Sequence, residues 1–367
     1  MSSNASAAGA AYAQANGGRS QANGTHNSSA VHYPAGHADL LESKVTAEAL
    51  RRGPSPMRKL APLLKVDGIV WLAGGLPNKE AFPMTSINVK LYDGSEVVID
   101  CGDEDEEKML IPAQQYMTEN LGLPGLSQWV DKHMKELHGD LPNHKTILTA
   151  GSTCSADMMT RVLFEPNNTI LICEEYSYPN FLAAADPIGV EMVGIKMDDD
   201  GMCPVAMEEG ILAKLSEFES DPKIVLYIGT CGQNPTGHTY RRRRLEEIYA
   251  VARKFNVIII EDDPYLYLSF PQSETSAAPG LHGLSCVGSG LDDRCSLLSI
   301  DTDARVLRMD TFSKFIAPGL RVSWITMPEE LLKPSIFVSQ YSTQTGSSLS
   351  QILLYKVNDL SPNARTS

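Results

Sequence analysis

Lys314 is an unusual place for a surface charge. In RMDTFSKFIAPGLRVSW (residues 308–324) it follows the strand-like RVLRMD, sits beside Ser313, and is trailed by Arg321. A lysine amine in such surroundings can form a Schiff base with an aldehyde. Other apolar runs end in equally unusual residues. KTILTA passes into GSTCSA, a glycine turn with Ser152 and Thr153 opening a helix. Free N–H groups at a helix start suit a phosphate, although alone these residues make an ordinary N-cap. KIVLYIG runs into TCGQNPTG, where Asn234 begins an Asn-Pro turn. NVIIIE ends in Asp262-Asp263-Pro264-Tyr265, and acids there are costly to bury unless a cation meets them. TILIC leads to EEYSYP, which projects Tyr178 from the same edge.

Together these residues could hold an anionic, aromatic, carbonyl-bearing cofactor. A carboxylate near a pyridine nitrogen keeps that nitrogen protonated and makes the ring an electron sink. At about 4 Å and an effective dielectric of about 20 the pair is worth roughly 4 kcal/mol. That is about three pKa units, enough to hold the ring protonated at neutral pH. Pyridoxal 5'-phosphate is the cofactor that fits.

The elements that must position these side chains follow from the hydrophobic pattern. Seven strand-like runs recur: KTILTAG, TILICEE, VEMVGIK, KIVLYIG, NVIIIED, RVLRMD and RVSWITM. Helical stretches separate several of them; LEEIYAVARKF places Leu245, Ile248, Tyr249, Ala252 and Phe255 on one face. Such alternation predicts an α/β fold with a mainly parallel sheet covered on both faces, its ligands at the carboxyl ends of the strands. INVKLYDGSEVVID alternates about Asp93-Gly94 and predicts a hairpin with a type I′ turn. Residues 1–38 are rich in Ser, Ala, Gly, Asn and His and predict a disordered extension. Residues 271–300 read as a long Gly/Ser-rich loop.

The bulk numbers exclude several function classes. The 367 residues carry a net charge of −14, which argues against nucleic acid or an anionic membrane as partner. No apolar run approaches the roughly 18 residues that a membrane span needs. Seven scattered cysteines without a C-x-x-C predict a reduced, intracellular chain, cytoplasmic or alternatively mitochondrial, with no zinc site. The basic run Arg241–Arg244 reads as a solvated helix start, the acidic run 102–108 as solvated rather than metal-binding, and His133, His138 and His144 as surface residues. LAGGLP lacks the third glycine of a dinucleotide fingerprint.

TFSKFIAPGLRVSW, NPTG, DDPY and GSTCSA, with GPSPMRKL, LAGGLPNKEAFP and QQYMTENLGLPGL in order, resemble the fold-type I, class I/II pyridoxal-phosphate aminotransferases. The likeness is to the aromatic-amino-acid, 2-aminoadipate and kynurenine group and covers about residues 45–356. It implies a large domain with a seven-stranded sheet at 111–335, after an extension at 1–44 and an N-terminal small-domain and cleft segment at 45–110. An interdomain helix and a shortened C-terminus would occupy 336–367. It implies transamination between an amino acid of that type and a 2-oxo acid such as 2-oxoglutarate. By the resemblance, Lys314 would hold the cofactor as a Schiff base and shuttle a proton, while Asp262 would pair with the ring nitrogen. Asn234 and Tyr265 would bond the ring oxygen, and Tyr178 would stack on the ring. Ser152, Thr153, Ser313 and Arg321 would hold the phosphate, with Thr311 nearby. Tyr116 resembles a tyrosine that reaches the phosphate of a neighbouring subunit, which implies a homodimer. Gly75 and Arg58 resemble groups that meet the substrate.

The departures from the family pattern are specific. Arg321-Val-Ser323 replaces Arg-x-Gly, and GSTCSA has Thr-Cys where relatives often have Gln-Gln. Only fifty-three residues follow Lys314, so the C-terminal part of the family's small domain, with its carboxylate-binding arginine, reads as missing. Leu349, Ile352, Leu353 and Leu354 would then face water, and the chain would be poorly soluble and weakly active. Carbon–sulfur lyase or decarboxylase chemistry on the same cofactor, a catalytically impaired isoform, and a sensor domain of a regulator are the competing readings. The last is weakened by the lack of any basic recognition helix.

Overall fold

The structure, a computed structural model, describes residues 44–60, 63, 66–69, 75–117, 121–141, 143–268 and 296–359. The extension at 1–38 and most of the loop at 271–300 lie outside the described residues.

After two short helices, Ala47–Arg51 and Pro56–Lys59, comes a hairpin of β1 (Ser86–Lys90) and β2 (Glu96–Asp100), followed by α1 (Glu104–Ala113) and α2 (Pro124–His138). Then β3 (His144–Thr149), α3 (Ser152–Leu163), β4 (Thr169–Glu174), α4 (Pro179–Ala185), β5 (Glu191–Ile195) and α5 (Pro204–Leu215) alternate. The alternation continues through β6 (Lys223–Ile228), α6 (Arg242–Lys254) and β7 (Ile258–Asp262), and then β8 (Val306–Thr311) and β9 (Ser323–Pro328). Helices α7 (Glu329–Gln340) and α8 (Ser348–Asp359) close the described chain. The seven expected runs form one seven-stranded sheet, in the order β3-β9-β8-β7-β6-β4-β5. Four of its six pairings are parallel, and only β9 runs against its neighbours.

Strand periodicity splits the sheet's side chains into two cores. Ile170, Ile172, Ile224, Leu226, Ile228 and Ile259 pack on one face with the expected stripe of α6, including Leu245, Ile248 and Phe255. Leu171, Val225, Tyr227, Ile258 and Ile260 pack on the other with α3 and with Val45 and Ala49. Thr46 joins this second core, its N–H donating to Val162 O at 2.8 Å and its hydroxyl to Arg161 O at 2.7 Å.

Four local expectations are corrected. The hairpin turn is not type I′, because Gly94 takes φ +88° while Asp93 keeps a negative φ. Gly94 N–H donates to Leu91 O at 3.0 Å and Leu91 N–H to Ser95 O at 2.8 Å, a three-residue loop with a glycine bulge. Asp93 Oδ1 secures it by accepting from Ser95 N–H at 2.9 Å. The histidines are not surface residues. His133 falls on the buried stripe of α2, stacks on Trp129 at 4.9 Å and lies with Nε2 3.0 Å from Tyr267 OH. Burial first, then the Arg308 charge, lowers its pKa to about 4, so it stays neutral. His138 Nδ1 lies 2.8 Å from Ser299 Oγ, and the buried His144 Nε2 lies 3.3 Å from Asp301. In the basic run, Arg242 and Arg243 pair on the surface with Glu246 and Glu247, but Arg244 turns inward to Asp198 at 2.9 Å and to Met202 O at 2.9 Å.

The largest correction concerns α8. Ile352 and Leu354 are fully buried, and Leu349 and Leu353 pack against a third core. That core joins Val97 and Ile99 of the hairpin to Leu110 and Ala113 of α1 and to Leu123, so these elements cover the helix. Leu123 N–H also donates to Gln351 Oε1 at 2.6 Å. Ile352→Ala should therefore cost about 2–5 kcal/mol, the range for emptying a packed aliphatic site, where a water-facing position would lose about 0.5 kcal/mol or less. Chemical denaturation of the two chains measures the difference.

Candidate active site

The carboxyl ends of β4, β6, β7 and β8 and the start of α3 surround a cavity of about 250 Å³. Ten expected residues line it: Ser152, Thr153, Tyr178, Asn234, Asp262, Tyr265, Thr311, Ser313, Lys314 and Arg321. Three do not. Tyr116 is 61% exposed, Gly75 lies in an exposed turn with φ +61°, and Arg58 is half-buried on the short helix Pro56–Lys59.

One end of the cavity is a cup for an anion. Gly151 caps α3 with φ +97°, a conformation that favours glycine, and a side chain there would collide with the Arg321 guanidinium. Arg321 itself holds φ +52°, an uncommon left-handed conformation for a bulky residue. Its guanidinium donates to Pro318 O at 3.2 Å and Ser313 Oγ at 3.4 Å, which fixes it over the helix start. A run of hydroxyls lines the floor. Ser152 Oγ lies 3.4 Å from Ser323 Oγ, which donates to Thr311 Oγ1 at 2.7 Å, and Thr311 donates to Ser313 Oγ at 2.9 Å. The departure at Ser323 thus becomes a link in this chain. Free helix N–H groups, an arginine and hydroxyls together suit a phosphate.

The wall carries a carboxyl. Strand alternation turns Asp262 to the side of Ile260 and Tyr227, and Tyr227 OH donates to its Oδ2 at 2.7 Å. Its Oδ1 is sealed from solvent and makes no hydrogen bond. Burial pushes the Asp262 pKa up to about 7, against the hydrogen bond from Tyr227. Lys314, in the turn after β8, is exposed and holds Nζ 5.5 Å from the Tyr265 ring centre, within cation–π range.

The sequence did not single out Glu174, Tyr227, Cys231 or Gln233, which share the cavity wall. Tyr227 carried a weak signal as the one polar-tipped side chain in the apolar stretch IVLYI. Glu174 carried another, as the acid opening EEYSYP. Arg308, the cation that meets the acids after NVIIIE, was legible only as part of RVLRMD. It is fully buried, with its guanidinium 2.9 Å from Asp263, 3.0 Å from Asp310 and 3.2 Å from Glu261.

A family profile described as aminotransferase class I and II matches residues 92–356. Similar curated proteins include an aromatic amino acid aminotransferase of Schizosaccharomyces pombe, 31% identical over 334 residues that span 86% of this chain and 70% of that protein. The mitochondrial kynurenine/alpha-aminoadipate aminotransferase of Mus musculus is 30% identical over 327 residues, spanning 85% of this chain and 71% of that protein. Among solved structures, an aminotransferase from Candida albicans matches at 29% identity with a TM-score of 0.76, covering 88% of this chain and 70% of that one. The chain belongs to the class I and II aminotransferase family and has its fold-type I architecture. It is a pyridoxal-phosphate-dependent transaminase.

The residues present fit that cofactor. An unpartnered, buried carboxyl oxygen suits a protonated ring nitrogen, and the cup over Gly151 suits a phosphate. The carboxyl also yields a prediction for the cofactor-free chain. With its pKa raised, folded Asp262 keeps a proton that the unfolded chain has already released. The stability it contributes is complete below the unfolded value of 3.8 and is lost as pH rises to about 7. Asp262→Asn stays neutral throughout. Between those limits wild type should lose up to roughly 4 kcal/mol relative to the variant, read from denaturation at a series of pH values. Parallel curves would place the carboxyl in water.

Proposed function

We propose that this chain exchanges the amino group of an aromatic, 2-aminoadipate-type or kynurenine-type amino acid for the oxo group of a 2-oxo acid such as 2-oxoglutarate. The observation that carries the proposal is the sealed, unpartnered Asp262 Oδ1 on the wall of the cavity that Lys314 also lines. The names of the similar proteins, aromatic and kynurenine/alpha-aminoadipate aminotransferases, support the substrate class.

Bound pyridoxal phosphate supplies an aldehyde carbon that takes the substrate amine and a ring that withdraws the electrons left when Cα loses its proton. The chain's residues do the rest. Ser152, Thr153, Ser313 and Arg321 bind the phosphate at the head of α3, with Thr311 holding Ser313 through hydroxyl and backbone bonds. Tyr227 occupies Asp262 Oδ2 and leaves Oδ1 as the acceptor for the ring nitrogen proton. Asn234 and Tyr265 bond the ring oxygen, and Tyr178 covers the ring. Lys314 Nζ would hold the cofactor and, once the substrate amine has displaced it as a free amine, would take the proton from substrate Cα. Arg58 and Gly75 meet the substrate, and Tyr116 reaches the phosphate of a second copy in a homodimer; the exposure of Tyr116 leaves it available for that contact. Residues 111–335 are the cofactor-binding unit of this assembly.

Cys154, Cys173 and Cys203 are thiols, which fits a reducing compartment. Among the described residues no helix is long and apolar enough to cross a membrane.

Borohydride reduction of the loaded protein should add a phosphopyridoxyl mass to the peptide that contains Lys314. A label on Lys333 instead would overturn the assignment. Aromatic amino acids and 2-aminoadipate, each with 2-oxoglutarate, should yield the matching oxo acid and glutamate. Release of carbon dioxide or of a thiol without glutamate would point to decarboxylase or lyase chemistry. Asp262→Asn should keep the cofactor yet slow turnover about a thousandfold, the rate equivalent of roughly 4 kcal/mol of lost pairing.

A further inference from the structure

Glu174 closes β4 on the wall of the cofactor cavity and has no part in the steps above. It is 2% exposed, and each of its hydrogen-bond partners is a donor. Tyr240 OH reaches Oε1 at 2.6 Å, and Gln233 Nε2 and Gly229 N–H reach Oε2 at 2.9 Å and 3.5 Å. Gln233 binds the rest of its own loop. Its Oε1 accepts from Thr236 N–H at 3.0 Å and Thr236 Oγ1 at 2.6 Å, and its Nε2 also donates to the carbonyl of Tyr176. The Glu174–Gln233 contact therefore joins the segment that bears Tyr178 to the loop that bears Asn234.

We infer that Glu174 is a positioning residue whose ionised carboxylate holds Gln233, and through it Asn234 and Tyr178, against the cofactor; this rests on the assignment of the cavity to pyridoxal phosphate. A carboxylate accepts from all three donors at once. A proton on Oε2 would oppose the Gln233 amide. A proton on Oε1 would oppose the Tyr240 hydroxyl, whose oxygen already accepts from Met202 N–H at 2.8 Å. Either way a bond across the joint is lost, and the loop slackens.

The titration falls where it matters. Burial pushes the Glu174 pKa up to about 7, opposed by the bonds from Tyr240, Gln233 and Gly229 and assisted by Asp263. The other ionisable groups facing it are Tyr240, Tyr227 on β6 and Cys173 on its own strand, with Asp262 and Lys314 on the same cavity wall. Burial pushes Cys173 up to about 12 and raises both tyrosines, so these three stay neutral near pH 7. Asp262 also titrates near 7, so it needs its own control.

Hydrogen exchange at the Thr236 and Gly237 amides of the full chain tests the joint, with and without pyridoxal phosphate and after correction for intrinsic rates. In wild type, protection should rise about tenfold between about pH 6 and about pH 8, the equivalent of one charge-assisted hydrogen bond. Glu174→Gln should show low, flat protection, and its pyridoxal-phosphate dissociation constant should rise about tenfold at the higher pH and little at the lower. Asp262→Asn should follow wild type. Tyr240→Phe keeps the buried ring but removes a donor that favours the charged form, so its rise should move to higher pH. Flat protection in wild type, or the same rise in Glu174→Gln, would overturn the role of Glu174. If no variant bound the cofactor, the cofactor assignment would fail, while exchange in the cofactor-free chain would still decide the joint.

Discussion

The Arg308 guanidinium is what allows acids to stand at the end of an apolar strand. It is buried on the sheet face of Ile259, where Glu261 pairs with it in register and Asp263 and Asp310 complete its ring of acceptors. Burial works against its charge, but Asp310, Glu261 and Asp263 outweigh that and hold it ionised. Burial also raises the carboxyls of Glu261 and Asp310, against the pull of the Arg308 charge. The acids then fix the backbone around the cavity. Asp263 Oδ1 accepts from Thr230 N–H at 2.6 Å and Cys231 N–H at 2.9 Å at the start of the Asn234 loop. Glu261 accepts from Leu297 N–H at 2.7 Å and Leu298 N–H at 3.1 Å, which ties down the last turn before β8. Removing one partner of such a group leaves a buried charge uncompensated.

Alternation at the end of β7 and on into Asp263 sends three neighbouring acids to two environments. Glu261 and Asp263 turn toward Arg308, whereas Asp262 turns to the opposite face and meets only the Tyr227 hydroxyl. A one-residue slip would exchange these environments, placing a satisfied carboxylate in the cavity and a lone acid in the core. The register with β6 and β8 is therefore as much a part of the site as the side chains are.

Legibility in the sequence follows the same physics. Seven strands were readable because buried parallel strands are nearly continuous apolar runs, and most cavity residues because strand ends in such sheets collect polar side chains with no structural reason to be there; Thr311 came from the family resemblance alone. Tyr227, Glu174 and Gln233 were not, because a tyrosine in a strand or a glutamate at its end reads as ordinary until its cross-sheet partner is known. Arg308 was hidden for the same reason, since its three acceptors come from other positions on β7 and β8. The error over Ile352 and Leu354 had a different source. It took the helix to lack a partner, whereas the hairpin and α1 cover Ile352 and the core that includes α2 covers Leu354, contacts that span more than two hundred residues and have no local signal.

A chain with a net charge of −14 nevertheless offers a site for a phosphate, and the reason is range. Charges on the outer surface are screened over about 8 Å at physiological ionic strength, whereas groups inside a cavity act through little solvent. At one end of the cavity are the head of α3 and Arg321; on its wall are Asp262, Glu174 and Lys314. A ligand with an anionic tail and a basic ring nitrogen would be oriented by that polarity, tail to the cup and nitrogen to Oδ1. A ligand reversed in the cavity would set phosphate against carboxylate and leave Arg321 unmet. Local polarity therefore suits a ligand with an anionic tail, against the sign of the whole chain.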